Sequence, residues 1–405
     1  MISLFFTVPF LAFSQWELKT VEPMNGLNWV HFLDTSRGFI VGNQGSLYKT
    51  TNGGNSWSYS HIDPLYSPDL FCIQFVNDSL GWISGRSGSL FKTTDGGNSW
   101  KRIDTFFEIF GGYYLTQVQF NDSKKGWITG STKLIYSTRN GGEGWCVTPS
   151  GFQTIFQKVQ MINDLVGYAN GDSGRAIMTK DGGNTWTSMQ TGVNTTLNSL
   201  TFVNDSVGYM AGFDGTIIKT TNGGKNWTAY PEAPKEYLAA VRFPTDSIGW
   251  IVGANGLILA TTNGGATWAT QTSNTVKVLI SSFFTDKDHG WAVGEQGTVL
   301  RYTPTVPAQV MEYDGANNFR FELKQSYPNP FNPTTTISFS IPTAEYVELT
   351  IYDILGKKIN TLLNKQFEAG IHSIEFDSKG LASGTYICRL SSGKNVATQK
   401  MILAK

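Results

Sequence analysis

The chain has 405 residues, and its 31 basic residues equal its 31 acidic residues, so the formal net charge is zero. This balance argues against broad binding to nucleic acids or to anionic membranes. The length allows two or three domains, and abundant glycine and aromatic residues without long apolar stretches of helical spacing predict an all-β chain.

Residues 1–14 form an apolar run ending in Ala12-Phe13-Ser14, a small-x-small pattern before a cleavage point at Gln15. We interpret the run as a signal peptide, although it lacks the usual basic residues at its start. It is too short to span a bilayer, and the sequence predicts no transmembrane segment. A core strand of the first repeat is the alternative interpretation.

A block of about 41 residues recurs over residues 15–303, and six copies end in a turn of the form T-x-[ND]-G-G-x-x-W, here called the glycine turn. Repeats of this period indicate a propeller or a solenoid. The terminal tryptophans are Trp57, Trp100, Trp145, Trp186, Trp227 and Trp268. The polar turn positions are Asn52, Asp95, Asn140, Asp181, Asn222 and Asn263.

The last block is split between the two ends of the repeat region. A seventh Gly-aromatic pair, Gly290-Trp291, has no tryptophan after it, whereas Trp16 lies 41 residues before Trp57, where a seventh terminal tryptophan belongs. Four short strands per block are typical of a propeller blade. The sequence thus predicts a seven-bladed β-propeller that is closed by its N-terminal strand.

The glycine turn has a structural explanation. An Asn or Asp side chain bonds its own backbone two residues on, glycine accepts positive φ, and the terminal tryptophan is expected to pack between blades as an apolar wedge. Because four of the six polar positions are Asn, a turn role is favoured over calcium binding. We therefore predict no metal site.

The turn resembles the Asp-box, or bacterial neuraminidase repeat, of sialidases, xyloglucanases and related propellers. The fuller block, with G-W-I-V-G-x-x-G before K-T-T-N-G-G, is similar to the photosystem II assembly factor family over about residues 15–303. That family uses an arginine-rich patch on its propeller. The matching blades here show no comparable basic cluster, so the photosystem partner is not carried over from the resemblance.

Catalytic signatures are weak. A sialidase-like site needs three converging arginines, a tyrosine and an acid. The fragment Val241–Pro244 echoes a sialidase arginine motif, but Arg242 aligns with ordinary first-strand positions of other blades. A xyloglucanase-like hydrolase pairs carboxylates across two propellers, and one propeller is predicted here. We predict no enzymatic activity and no cofactor, with a secreted carbohydrate-active enzyme as the alternative.

The variable connections between blades are the expected binding loops. The longest, Asp104–Leu115, is rich in aromatic residues, which cost solubility when exposed and offer contact area to a glycan or protein. The alternative is that these side chains fold inward. The candidate ligand-binding residues are Phe106, Phe107, Phe110, Tyr113, Tyr114, Tyr66, Tyr237 and Arg86.

Cysteine usage is low. Cys72, Cys146 and Cys388 show no metal-ligand spacing, and an odd count precludes full internal pairing. We predict small buried side chains and no disulfide.

The repeat stops at Thr303, and residues 304–318 are predicted to form a linker. Residues 319–405 alternate apolar and polar side chains, which predicts a small immunoglobulin-like β-sandwich. The segments Tyr327–Pro333 and Leu381–Tyr386 resemble the type IX secretion C-terminal sorting domain. That resemblance implies recognition by the type IX secretion machinery. An ordinary accessory domain is the alternative.

Together these patterns predict an exported, non-catalytic propeller that acts as a protein- or glycan-binding scaffold module. The expected location is the outer-membrane surface of a Gram-negative bacterium or the medium, and no nucleic-acid partner is expected. A photosystem II assembly factor-like role in complex assembly is a further alternative.

Overall fold

The computed structural model describes residues 16–63, 65–103, 113–131, 133–148, 151–152, 154–302, 321–326, 329–368 and 370–404. The predicted signal peptide at 1–14 and the predicted linker at 304–318 lie outside them. In these residues the structure is strand and turn apart from three short 3-10 turns, so the chain is all-β as predicted. It divides into two compact units, Met1–Pro307 and Ala308–Lys405.

The first unit contains seven four-stranded antiparallel sheets, with strands labelled here in chain order. The first strands are β2 (Leu27–Phe32), β6 (Leu70–Phe75), β10 (Leu115–Phe120), β14 (Phe156–Met161), β18 (Leu197–Phe202), β22 (Leu238–Arg242) and β26 (Leu279–Phe284). The second strands are β3 (Gly38–Gly42), β7 (Gly81–Gly85), β11 (Gly126–Gly130), β15 (Gly167–Gly171), β19 (Gly208–Gly212), β23 (Gly249–Gly253) and β27 (Gly290–Gly294).

The third strands are β4 (Ser46–Thr50), β8 (Leu90–Thr93), β12 (Ile135–Thr138), β16 (Ala176–Thr179), β20 (Ile217–Thr220), β24 (Ile258–Thr261) and β28 (Thr298–Tyr302). The fourth strands are β5 (Ser58–His61), β9 (Lys101–Arg102), β13 (Cys146–Thr148), β17 (Thr187–Met189), β21 (Thr228–Ala229), β25 (Ala269–Gln271) and β1 (Trp16–Thr20). The 3-10 turns Asp172–Gly174, Phe213–Gly215 and Ala254–Gly256 join second to third strands.

The seventh sheet combines both ends of the repeat region. β1 pairs antiparallel with β28, from Trp16 opposite Tyr302 to Thr20 opposite Thr298. Each first strand also contacts the first strands of the two sheets beside it, and β2 of the first sheet contacts β26 of the last. Neighbouring sheets therefore meet along their first strands.

The glycine turn is held by one repeated hydrogen-bond pattern. In the fourth sheet, Thr179 Oγ1 donates to Asp181 Oδ1 at 2.8 Å and accepts from Gly183 N at 2.9 Å. The preceding glycine, Gly182, donates its N–H to the carbonyl of Leu165, in the turn between first and second strands. The same contact recurs in all six turns, which places these two sets of turns on one face.

The second glycine of the turn also has a packing role. Gly183 has a φ of +82°, and a Cβ at this position would lie 2.6 Å from Trp127 Nε1 in the preceding sheet. Glycine alone therefore satisfies both the left-handed backbone and the close approach of an aromatic side chain.

Aromatic stacks join neighbouring sheets. Trp82 in the second sheet stacks on Phe120 in the third with ring centroids 3.6 Å apart, and Trp145 meets the same phenyl ring edge-on at 5.9 Å. Equivalent stacks are Tyr168–Phe202, Tyr209–Phe243, Trp250–Phe284 and Trp291–Phe32. The terminal tryptophan thus packs at the edge of an interface stack.

The second unit contains a three-stranded sheet and a four-stranded sheet. Their inward side chains, among them Phe339, Leu349 and Leu390, share one apolar cluster. The strands are β29 (Glu322–Leu323), β30 (Thr334–Ile341), β31 (Glu345–Asp353), β32 (Lys358–Phe367), β33 (Gly370–Asp377), β34 (Gly384–Ser392) and β35 (Asn395–Leu403).

Cysteine burial differs from the expectation at one position. Cys72 and Cys388 are buried, whereas Cys146 is exposed, so the prediction of a buried side chain at Cys146 was wrong. Cys146 begins the fourth strand β13, which pairs on one side alone, and its side chain faces outward from this edge strand.

Candidate functional site

Three of the predicted binding residues come together at the boundary of the second and third sheets. The backbones of Arg86 and Tyr114 form a β-bridge, and the Arg86 guanidinium carbon lies 5.9 Å from the Tyr114 ring centroid. Tyr66 lies beside them, with its hydroxyl 3.5 Å from Ser89 Oγ. We call Tyr66, Arg86, Arg102 and Tyr114 the aromatic-cation cluster.

Two cation–π pairs define this cluster. In the first pair, the Arg102 guanidinium carbon lies 4.3 Å from the ring centroid of Tyr66. The second pair is that of Arg86 with Tyr114, and Arg86 also makes an ion pair with Asp69 at 3.1 Å. Arg86 and Tyr114 are exposed, and Tyr66 is half-buried. Aromatic rings with guanidinium groups beside them form a surface that suits a partner with both polar and apolar groups. Arg102 was not among the predicted binding residues, although its place after Trp100 and Lys101 put it beside the same loop.

The other predicted binding residues fall elsewhere. Tyr237 packs against Phe213 with ring centroids 5.0 Å apart, at the boundary of the fifth and sixth sheets. Tyr113 is half-buried, and its carbonyl accepts a hydrogen bond from Gly88 N at 2.9 Å. Phe106, Phe107 and Phe110 lie outside the described residues, so their place in the loop stays a prediction.

The six polar positions of the glycine turns accept hydrogen bonds within their own turns. The hydroxyl and N–H of Thr185 donate to Asp181, which lowers the pKa of that carboxyl to about 2. Hydrogen bonds from Ser99 likewise hold the pKa of Asp95 well below its usual range. Asn52 accepts from Ser56 N in the same geometry, so an amide oxygen replaces the carboxylate in this role.

A second polar region lies where the first strands meet. A cavity of about 300 Å³, here called the central cavity, is lined by side chains from all seven first strands. Its wall contains an amide ladder. Gln160, for example, accepts from Phe202 N at 2.7 Å and donates to Phe202 O at 3.0 Å, which joins the fourth sheet to the fifth.

The ladder recurs in other sheets. Gln74 makes both bonds to Phe120, and Gln119 does so with Met161. His31 occupies the equivalent place in the first sheet, where its Nε2 accepts from Phe75 N at 3.3 Å. These side chains satisfy backbone groups at the edges of the first strands that they contact.

Two cations share the central cavity with a tryptophan. Lys158 Nζ lies 3.7 Å from the ring centroid of Trp29, and the Arg242 guanidinium carbon lies 5.5 Å from the same ring. Sequence reasoning dismissed Arg242 as an ordinary first-strand position. It is indeed in a first strand, but the structure shows that this position faces the cavity.

Burial perturbs each titratable group of the cavity. Desolvation, with a smaller repulsion from Arg242, lowers the pKa of Lys158 to about 7. The same two causes lower the pKa of His31 to about 4, so its imidazole is neutral at pH 7. Desolvation raises the pKa of the Cys72 thiol to about 11. The cavity therefore favours uncharged forms of its groups.

Within the described ranges, no group of three or more His, Cys, Asp or Glu side chains is arranged to hold a metal ion. None of the helical turns in this part of the chain has the length and apolar character needed to cross a bilayer.

Comparison with known families identifies two matching models. The photosynthesis system II assembly factor YCF48 model matches residues 8–111, 64–150, 108–230, 183–275 and 237–303. The secretion system C-terminal sorting domain model matches residues 325–404. No curated protein matches the chain.

Solved structures share the fold of the first unit. YCF48 bound to D1 peptide is 21% identical with a TM-score of 0.63, and the match covers 73% of this chain and 99% of that one. YCF48 from Cyanidioschyzon merolae is 18% identical with a TM-score of 0.60, covering 71% and 98%. A catalytically inactive virginiamycin B lyase from Staphylococcus aureus, with quinupristin, is 11% identical with a TM-score of 0.59, covering 71% and 98%.

Proposed function

The chain belongs to the photosynthesis system II assembly factor YCF48 family, and on that premise we propose that it is an exported, non-catalytic propeller that binds a protein partner at the cell surface. The observation that carries the proposal is the aromatic-cation cluster, in which Arg102 and Arg86 lie against the rings of Tyr66 and Tyr114.

The propeller is a seven-bladed ring in this proposal. Seven four-stranded sheets, contacts between consecutive first strands and the pairing of β1 with β28 support a closed ring. Such a ring has no free seam, and it presents its loops at the ends of the central axis. Tyr66 and Tyr114 lie on connections between blades, where loop sequence varies without disturbing the blades, whereas Arg86 lies in the loop between β7 and β8 and Arg102 ends β9.

The C-terminal unit directs the propeller out of the cell. Its match to the secretion system C-terminal sorting domain over residues 325–404 implies export through the type IX secretion machinery. We propose that residues 319–405 form a small β-sandwich, because its two sheets share one apolar cluster, and that residues 1–14 supply the signal for the first membrane. The product acts at the outer surface or in the medium.

A protein partner fits the cluster better than a small ligand. Guanidinium groups stacked on tyrosines are typical of interface anchors. One related propeller is described as bound to a peptide. A glycan partner also uses exposed aromatic rings, and the test below separates the two.

A sialidase-like site needs three converging arginines, whereas the aromatic-cation cluster brings together two, Arg86 and Arg102. Arg37 pairs with Asp34 at 2.7 Å, and Arg139 donates to Asn184 at 3.0 Å, each within or beside a glycine turn. Arg86 lies in a loop between second and third strands, and Arg242 lies in the central cavity. A site for an acidic sugar needs such groups to converge.

The test uses the exported full chain, labelled and added to intact host cells that lack the gene. We expect saturable binding that protease treatment of the cells abolishes and periodate oxidation leaves intact. The double variant Tyr66→Ala/Arg86→Ala should lose most of this binding. Tyr59→Ala, a matched change at an exposed tyrosine of β5, should keep it.

Other outcomes are equally informative. Loss of binding after periodate but not after protease would make the partner a glycan. Equal binding by wild type and the double variant would overturn the assignment of the site. Full-length protein retained inside host cells, as measured by fractionation and mass spectrometry, would overturn the export proposal.

A further inference from the structure

The central cavity contains positive charge without a matching acid. Lys158 and Arg242 both line it, and none of its described lining residues is Asp or Glu. Removing two cations from bulk water without a counter-charge is costly, because each loses hydration that the protein does not replace. A cavity with two basic side chains and no acidic one is suited to binding an anion.

The two cations lie near one ring. Lys158 Nζ is 3.7 Å and the Arg242 guanidinium carbon is 5.5 Å from the centroid of Trp29, so both charges lie close to the same indole. Cation–π attraction offsets part of the desolvation cost. It does not neutralise either charge, and the mutual repulsion of Lys158 and Arg242 remains.

Both side chains keep hydrogen-bond donors for a ligand. Arg242 uses Nε on the carbonyl of Ser282 and Nη1 on the carbonyl of Val241, both at 3.2 Å. A guanidinium carries five N–H donors, so others remain. The ammonium of Lys158 contacts the Trp29 ring, and no Asp or Glu is among the described residues that line the cavity with it. The Cys72 thiol is its nearest acidic neighbour, and burial raises the pKa of that thiol to about 11, so the thiol is neutral at pH 8.

The remaining wall suits a small polar molecule. The amides of Gln74, Gln119 and Gln160 are held by the backbone of neighbouring strands, which makes the wall rigid. A volume of about 300 Å³ lies at the lower end of the range for ligand pockets. The site therefore has room for a few heavy atoms and not for a polymer.

We propose that the central cavity binds a small oxyanion with two negative charges, either a phosphate or a short dicarboxylate, between Lys158 and Arg242 and beside Trp29. This site is separate from the aromatic-cation cluster, and its function does not depend on the partner proposed there. Charge-assisted hydrogen bonds from a guanidinium and an ammonium are the strong interactions that such an anion requires.

Binding is expected to take up a proton. The pKa of Lys158 is about 7, so its amine is mostly neutral at pH 8. A bound anion favours the ammonium form and raises that pKa. The other groups facing the cavity do not compete, because the pKa of His31 is about 4, the pKa of Cys72 is about 11, and Arg242 stays charged.

Calorimetric titration of the full chain with inorganic phosphate and, separately, with malonate tests the proposal. At pH 8, in two buffers of different ionisation enthalpy, we expect saturable binding of one anion with uptake of up to about one proton. Lys158→Met keeps the aliphatic stem over Trp29 and removes the charge, so it should weaken binding at least about tenfold and abolish the proton uptake.

A second variant and a control distinguish a loss of anion binding from a loss of folding. Arg242→Gln should also weaken binding at least about tenfold. Lys92→Gln should bind as wild type, because Lys92 also lies over a tryptophan, Trp82, but outside the cavity. Thermal unfolding of each variant confirms that the chain is folded.

Each outcome decides the proposal. Binding of phosphate alone or of malonate alone, lost in both charge variants, supports the site and identifies the anion class. Absence of binding by both anions overturns it. Binding that both charge variants retain overturns it as well, since the anion would then lie elsewhere.

Discussion

Trp291 stacks on Phe32 with ring centroids 3.4 Å apart, and its indole N–H donates to the carbonyl of Gly53 at 3.0 Å. The two residues come from the last and the first sheets of the repeat region. In a closed ring this interface is equivalent to every other. Trp291→Ala should then lower the free energy of unfolding by about 3–5 kcal/mol, the usual cost of removing a buried tryptophan.

The matched control is Trp82→Ala, which removes the equivalent ring from an interior interface, where Trp82 stacks on Phe120 at 3.6 Å. Chemical denaturation measures both variants. Similar losses are expected. A much smaller loss for Trp291→Ala would show that the first and last sheets separate in solution.

His31 makes the folded chain less stable at acidic pH. The pKa of its imidazole is about 4 in the folded chain, against an ordinary value of 6.5. Between pH 6.5 and pH 4 the unfolded state therefore binds more protons, and stability falls as the pH falls through this window. His31→Gln should match wild type at pH 7 and exceed it at pH 4.5 by about 1–3 kcal/mol.

The glutamine is chosen because Gln74, Gln119 and Gln160 hold the same position in other sheets. It keeps an acceptor for Phe75 N while removing the titration. Denaturation midpoints at pH 7 and pH 4.5 test the prediction. Equal acid sensitivity of the two proteins would mean that another group causes it.

The amide ladder is expected to contribute measurably to stability. Gln160→Leu leaves both Phe202 N–H and Phe202 C=O without their partner, which should cost about 1–3 kcal/mol. Gln190→Leu, at an exposed position, is the control and should change stability by less than about 0.5 kcal/mol. Denaturant titration compares them. Indistinguishable variants would exclude an energetic role for the ladder.

Gly183 combines left-handed backbone with a close aromatic contact. Gly183→Ala strains a φ of +82° and drives a Cβ against Trp127, whereas Gly192→Ala strains a φ of +75° in open space. The first should cost about 1–3 kcal/mol more than the second, because overpacking adds to backbone strain. Thermal unfolding of the two variants measures the difference, and equal losses would remove the packing argument.

Lys158 destabilises the fold while it carries a charge. Its pKa is about 7 in the folded chain, against an ordinary value of 10.5, so the unfolded state binds more protons between these values. Stability should rise with pH from about 7 to 10.5. Without added anion, Lys158→Met should be more stable than wild type by about 3–5 kcal/mol at pH 7, with the gain shrinking towards pH 10.

Denaturation of both proteins across pH 6–10, in buffers free of phosphate and dicarboxylates, tests this prediction. Arg242 stays charged over this pH range, so its contribution to the stability does not change with pH. A gain for Lys158→Met that does not change with pH would mean that packing, and not charge, accounts for it.

The repeat determined how much of the fold could be predicted from the sequence. Blade interfaces use the same residue types at the same spacing, so Trp57 and its equivalents marked each sheet. The central cavity is different, because Lys158 and Arg242 occupy equivalent sides of strands in separate repeats and break the pattern. Their proximity depends on the curvature of the whole unit.

One equivalent position in each repeat faces the central cavity. The residue before the last apolar position of each first strand is His31, Gln74, Gln119, Gln160, Thr201, Arg242 or Phe283. That set contains no acid. The exposure of Cys146 could not be predicted in the same way, because alternation in a three-residue edge strand does not show which side faces outward.

The pairing of β1 with β28 also imposes an order on synthesis. β1 is made first, yet its partner is complete only when Tyr302 has been added. Until then the growing chain has an unpaired strand at one end and an unfinished sheet at the other, both open to wrong pairing. Arrival of the last repeat pairs both edges together, so completion of the seventh sheet acts as a length check that a truncated chain fails.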